Sequence, residues 1–124
     1  MSAQDRPKYD ADIHAASRAL SSLCDAFERR GDAFRTVHAA DYKKLGDAEL
    51  MLSGNVNDPL DDGKHVDPAA AKALLVELRE RFANVAAKEQ QKSETAVFYR
   101  AKHRDKAERF TGYARTLDKI LGKI

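Results

Sequence analysis

Mostly apolar or small residues recur at alternating steps of four and three along nearly the whole chain, on both sides of a single break. Positions 13, 17, 20, 24, 27, 31, 34, 38, 41, 45, 48 and 52 keep this rhythm, and so do 71, 75, 78, 82, 85, 89, 92, 96, 99, 103, 106 and 110, continuing to 124. Such spacing returns side chains to one helix face every two turns, so the fold class is all-α. The break, SGNVNDPLDDGKHVDP over residues 53–68, concentrates Gly, Asn, Asp and Pro and ends in Asp67 and Pro68, an N-cap followed by a first-turn proline. The chain has to reverse there.

Folding at that break so that Leu52 meets Ala71 sets Gly31 opposite Lys92 and Phe34 opposite Glu89, and both seams weaken at this height. If the chain bends at Gly31 and near Lys92, it forms a four-helix up-down bundle. Helices are then expected at about 10–30, 32–52, 68–91 and 94–122, with a loop at 53–67 and a flexible N-terminal arm at 1–9. Arg30, Gly31 and Asp32 favour this bundle, because they resemble a helix stop followed by a new cap. Without the bends, two helices of about 43 and 55 residues would make a long antiparallel hairpin of roughly 65 and 80 Å. One narrow seam would leave such a hairpin with exposed apolar surface, and it would dimerise. No Gly or Pro lies near Lys92 to mark the second bend.

Within the bundle, Asp10 is the expected cap of the first helix and Ser93 or Thr95 that of the last. The core stripes are Ile13, Ala16, Leu20, Leu23, Cys24 and Phe27; then Phe34, Val37, Asp41, Leu45, Ala48 and Leu52; then Ala71, Leu75, Leu78, Phe82 and Val85. The last runs through Ala96, Tyr99, His103, Ala107, Phe110, Ala114, Leu117 and Leu121. A chain of 124 residues, 43% hydrophobic and 34% charged, suits a single helical domain over residues 10–124. Its one cysteine, Cys24, cannot form an internal disulfide or a Cys-based metal site. With no signal-peptide pattern at the start and no apolar run of about 18 residues, a cytoplasmic setting without membrane contact is expected.

The chemistry-bearing residues do not assemble into a catalytic set. His38 with Asp41, and Asp10 with His14, have ligand-like helical spacing, but each pair is incomplete and Glu-x-x-His does not occur. Cys24 and His103 come near each other in the folded register without a third group to orient the imidazole. The arginine–histidine pairs RTVH and RAKH have only two intervening residues, too few for a ribonuclease Arg-x4-6-His pair, and NDPLDDG lacks the alternation of a calcium loop. The chain is therefore not read as an enzyme, and no cofactor or metal is expected.

Charge is distributed unevenly. Residues 92–124 hold nine basic and four acidic side chains, whereas residues 1–66 hold nine basic and twelve acidic. On a wheel of the last helix, Arg100, Arg104, Arg115, Lys119 and Lys123 take one flank and the back, and Lys102, Lys106 and Arg109 the other. Asp105, Glu108 and Asp118 interrupt them, which makes much of this an ordinary solvated face. Tyr99 and Tyr113 fall on the core side, so no stacking platform for single strands is expected. The two-sided heptads predict a non-enzymatic helical interaction protein, a subunit or adaptor of a larger assembly that binds through helix faces as a homodimer or with a protein partner. The alternative is an accessory nucleic-acid-binding subunit. Its sequence-independent phosphate contacts, to DNA or RNA, would come from Arg100, Arg104, Lys106, Arg109, Arg115, Lys119 and Lys123.

Overall fold

The computed structural model describes residues 6–53 and 67–124. They form α1 (Arg6–Glu28), a short α2 (Asp32–Val37), α3 (Ala39–Ser53), α4 (Pro68–Thr95) and α5 (Arg100–Leu121), with no strand among the described residues. The four long helices make an up-down bundle in which α3 packs on α1 and α4, and α5 packs on α4 and α1. This is the predicted four-helix architecture, not the two-helix hairpin. Among the described residues no helix is long and apolar enough to cross a membrane.

The capping chemistry predicted at the start of α4 is present. Asp67 Oδ1 accepts from the Ala70 amide at 3.1 Å, and Pro68 occupies the first helical position, where its missing N–H costs nothing. The Asp67 amide also donates to the Met51 carbonyl at 2.6 Å, tying α3 to α4 across residues 54–66, so most of the expected loop lies outside the described residues. The register is close to the one obtained by folding Leu52 onto Ala71: Asp41 pairs with Arg81, and Lys44 with Glu77.

The core is a column of Leu20, Leu45, Leu52, Leu75, Leu78, Leu117 and Ile120, closed at one end by an aromatic layer. Each of these fully buried side chains stabilises the fold by about 1.5–3 kcal/mol relative to exposure. In the layer, Phe27 of α1 lies 5.7 Å from Phe82 of α4 and 4.8 Å from Tyr113 of α5, and Phe82 meets Phe110 edge-on at 5.5 Å. Phe34 of α2 reaches in from the side, 5.3 Å from Phe27. The short α2 thus serves to cover this end of the bundle.

The first bend falls at Gly31 as predicted, with φ of 95°, a conformation that a side chain disfavours. Four expectations need correction. Helix α1 starts at Arg6 instead of Asp10, so residues 6–9 of the expected arm are helical and residues 1–5 lie outside the described residues. The helix expected over 32–52 is broken at His38 (φ −109°, ψ 28°), just after the β-branched pair Thr36 and Val37. That break rotates Val37 outward to 75% exposure and brings His38 onto the aromatic layer, 5.2 Å from Phe110. The second bend lies at residues 96–99, beyond Lys92, so α4 continues to Thr95 and neither Ser93 nor Thr95 caps α5. Finally, Tyr99 is exposed and Val85 only half-buried, while Ala86 and Ile120 join the core; Tyr113 is buried, as its place on the wheel predicts.

Candidate functional site

The α4–α5 turn is built from Ala96, Val97, Phe98 and Tyr99 without a Gly or Pro. Ala96 is extended (φ −70°, ψ 140°) and Tyr99 is left-handed (φ 65°, ψ 26°), the only non-glycine residue with positive φ among those described. An aromatic residue held there costs on the order of 1–2 kcal/mol. Local hydrogen bonds hold the turn in place. The Ala96 amide donates to the Lys92 carbonyl at 2.8 Å, Arg100 Nε donates to the Ala96 carbonyl at 2.6 Å, and the His103 amide donates to the Tyr99 carbonyl at 3.0 Å.

The turn stands at a free end of the bundle. Arg81 is level with Asp41 near the start of α3, and α4 continues a further 14 residues, roughly 21 Å at helical rise. From Gln90 to Thr95 only Ser93 is buried, and Val97, Phe98 and Tyr99 are 81%, 74% and 73% exposed.

Beside this turn lies a cleft of about 510 Å³. Lys102, Lys106 and Arg109 line it from α5, Arg30 from the end of α1, and Tyr99 forms a wall; Glu89, His103 and Asp105 complete it. Two of the cations rest on aromatic faces, Arg30 at 5.5 Å from the Phe34 ring centre and Lys106 at 6.0 Å from that of Phe110. Lys102 Nζ sits 5.9 Å from the Tyr99 ring centre.

Glu89, only 6% exposed, is the anionic floor of this arrangement. His103 Nδ1 donates to Glu89 Oε2 at 2.6 Å, and Lys106 and Lys92 bring Nζ to 3.5 and 3.6 Å of Oε1. Burial pushes its carboxyl up, but the His103 hydrogen bond and the two ammonium groups outweigh that and hold it below its ordinary value. Glu89 is thus an ionised carboxylate paired with Lys106, Lys92 and His103, which leaves Arg30, Lys102 and Arg109 in the cleft against Asp105.

The predicted basic residues do not form one surface. Lys106 and Arg109 enter the cleft. Arg100 is spent on the turn, and Arg104 is exposed beside it. Arg115 faces a separate hollow of about 520 Å³ between α4 and α5, lined largely by alanines with Glu108 and Asp118. Lys119 and Lys123 lie about 15–20 residues further along, at the other end of α5, some 25–30 Å away. Lys102 shares a flank with Lys106 and Arg109 by spacing but is not among the predicted contact residues. Arg30, Tyr99, Phe98 and Glu89 were not assigned to a site, because the chain reversals that bring them here leave no local pattern.

Elsewhere, Asp41 is 3% exposed and takes both Arg81 Nε (2.7 Å) and Nη2 (3.2 Å), with His38 Nδ1 at 3.8 Å. Burial lowers the His38 pKa, Lys106 lowers it further, and Asp41 only partly opposes them. The three residues form a structural pair with a neighbouring ring. Cys24 is buried beside Glu49, not beside His103, and its thiol is pushed up to about 12 by burial and then by that carboxylate. His14 is exposed, and the side chain of Asp10 lies outside the described residues. No group of three or more His, Cys, Asp or Glu side chains placed to hold a metal ion occurs among the described residues. In comparison with known proteins, no family model matches the chain, nor does any curated protein or solved structure.

Proposed function

We propose that the protein is a non-enzymatic helical interaction protein, a subunit or adaptor of a larger assembly, that engages its partner through the α4–α5 end of the bundle. One observation carries this: Val97, Phe98 and Tyr99 are three consecutive large side chains left in water on a turn flanked by hydrogen bonds and strained at Tyr99. Scattered apolar residues on a surface need no explanation, but a contiguous projecting set is a contact surface in waiting. A homodimer or a different protein partner and a cytoplasmic setting belong to the same reading; the single free thiol at Cys24 accords with a reducing compartment.

The test places a photo-crosslinking residue at position 98 in the full chain in cells, with the same residue at exposed Lys72 as reference. A defined adduct from position 98 only is expected. Equal, diffuse labelling from both positions would refute the proposal.

A second reading is favoured by a specific observation, the convergence of Arg30, Lys102, Lys106 and Arg109 on one cleft. Here the protein is an accessory nucleic-acid-binding subunit making sequence-independent phosphate contacts, through the cleft and not along the whole of α5. Binding to mixed-sequence DNA or RNA at low salt should then fall steeply by about 200 mM salt. No detectable binding at low salt would remove this reading.

A further inference from the structure

We propose that the cleft is the seat of one nucleotide unit of a single-stranded nucleic acid, its phosphate held among Lys102, Lys106, Arg109 and Arg30 and its base stacked on the ring of Tyr99. The inference rests on the nucleic-acid reading of this site and sharpens it by selecting single strands over duplexes.

Three features support it. The first is charge: Lys102, Lys106 and Arg109 of α5 converge with Arg30 of the turn after α1, and these four cations outnumber the two carboxylates of the cleft, Glu89 and Asp105. A ligand phosphate therefore meets a net positive wall. Second, two of the cations are positioned before any ligand arrives, Arg30 on Phe34 and Lys106 between Phe110 and Glu89, which reduces the ordering cost of binding. The third is the aromatic wall. Tyr99 is exposed, accepts from the His103 amide through its carbonyl, and already presents its ring to the Lys102 ammonium.

Size and shape narrow the ligand. A volume of about 510 Å³ lies within the range of about 300–1,000 Å³ usual for small-ligand sites, enough for a nucleotide and too little for a duplex. In a duplex the bases are stacked inside, so only its phosphates could reach the cations and Tyr99 would contribute nothing. A single strand can turn one base onto the ring and continue past Phe98, the next exposed aromatic of the turn.

The experiment measures fluorescence anisotropy of the full chain with a labelled mixed-sequence single strand, RNA or DNA, at low salt. The parallel arms are the duplex of the same sequence, a nucleoside monophosphate as competitor, and vesicles containing anionic lipid. The single strand should bind more tightly than the duplex. Tyr99→Asn, which keeps a residue that tolerates the left-handed backbone, should weaken single-strand binding about 5- to 100-fold and leave duplex binding unchanged. Lys102→Ala and Arg109→Ala should each lower the salt slope by about 0.7, whereas Lys119→Ala, at the far end of α5, should leave the cleft's contribution intact. Cooperative urea unfolding, with a midpoint no lower than wild type for Tyr99→Asn, shows that the variants fold.

Several results would overturn the inference. Equal binding of duplex and single strand, or no effect of Tyr99→Asn, would do so while sparing the phosphate-contact reading. Absence of all oligonucleotide binding removes both and leaves the interaction proposal to the crosslinking test. Full occupancy by the monophosphate with no gain from a strand, or binding to vesicles alone, would also overturn it.

Discussion

Replacing Glu89 by Gln tests the electrostatic centre of the cleft, because the shape is kept and only the charge is lost. The carboxylate is nearly inaccessible and faces His103 at 2.6 Å, Lys106 at 3.5 Å and Lys92 at 3.6 Å, but these partners are themselves 29%, 36% and 59% exposed. Solvent screens the two lysine contacts, so most of the worth lies in the one short charge-assisted hydrogen bond, about 1.5–3 kcal/mol. The Gln carbonyl can still accept from His103, which leaves an expected loss of about 1–2 kcal/mol at pH 7. The folded carboxyl is held below the ordinary 4.5, so the unfolded chain takes up its proton first as pH falls. The stabilisation is therefore complete above that value and disappears as pH falls through the lower folded value. Urea unfolding at pH 7 and at about pH 3 should show the gap between wild type and Glu89→Gln narrowing at the lower pH, since titrations common to both proteins cancel. A gap of the same size at both pH values, or a more stable Gln variant at pH 7, would refute the assigned charge network. Such an outcome is physically possible, because the cost of desolvating a buried carboxylate can exceed what its partners return.

Asp41→Ala leaves Arg81 able to return to water, because that side chain is 53% exposed; a loss of about 1–3 kcal/mol is expected in urea at pH 7, and a change under 0.5 kcal/mol would show the pair to be incidental. The two turns should respond in opposite ways to substitution. Gly31→Ala has open space around it but must adopt φ of 95°, so it should destabilise by about 1–2 kcal/mol, while Tyr99→Asn should be neutral or stabilising by up to about 1 kcal/mol in the same assay. With its thiol pushed up to about 12 from 9.0, Cys24 should carry about 1,000-fold less thiolate than an ordinary cysteine. Alkylation at pH 8 should be correspondingly slow in the folded protein and become ordinary in urea. Rapid labelling of the native chain would contradict its burial.

How far the sequence was legible depended on whether a constraint was local. The reversal at residues 53–68, the Asp67 cap and the α3–α4 register all follow from short-range turn chemistry joined to a regular repeat, and they come within a residue or two of the observed pairs Asp41–Arg81 and Lys44–Glu77. The second bend could not be placed in this way. The four-three rhythm runs through 92, 96, 99 and 103 without interruption, and nothing in Thr95, Ala96, Val97 or Phe98 announces a stop. What ends α4 there is a tertiary gain, the packing of α5 back along its length, and this gain overrides local preference. The same cause moved Tyr99 from the core side of a wheel to the surface, so the wheel was right for Tyr113 and wrong for Tyr99. Likewise, Lys102, Lys106 and Arg109 share a flank by spacing alone, but Arg30 joins them only because α1 ends beside α5.

The two bends differ in the residue that takes the positive φ. At Gly31 the chain adopts a positive φ with the residue that does so at least cost, and the nearby Phe34 turns inward to close the aromatic layer. That turn is explained by folding alone. At Tyr99 the chain adopts a positive φ with a residue strained by it, and the ring stays 73% exposed with the Lys102 ammonium over it. A turn needed only to reverse the chain would be better served by Gly or Asn at this position. Packing offsets little of the strain, because the side chain is 73% exposed, and the hydrogen bonds of the turn use main-chain groups and the Arg100 side chain. On the nucleic-acid reading proposed above, the tyrosine side chain serves a ligand rather than the fold, and the cations beside it suit a phosphate.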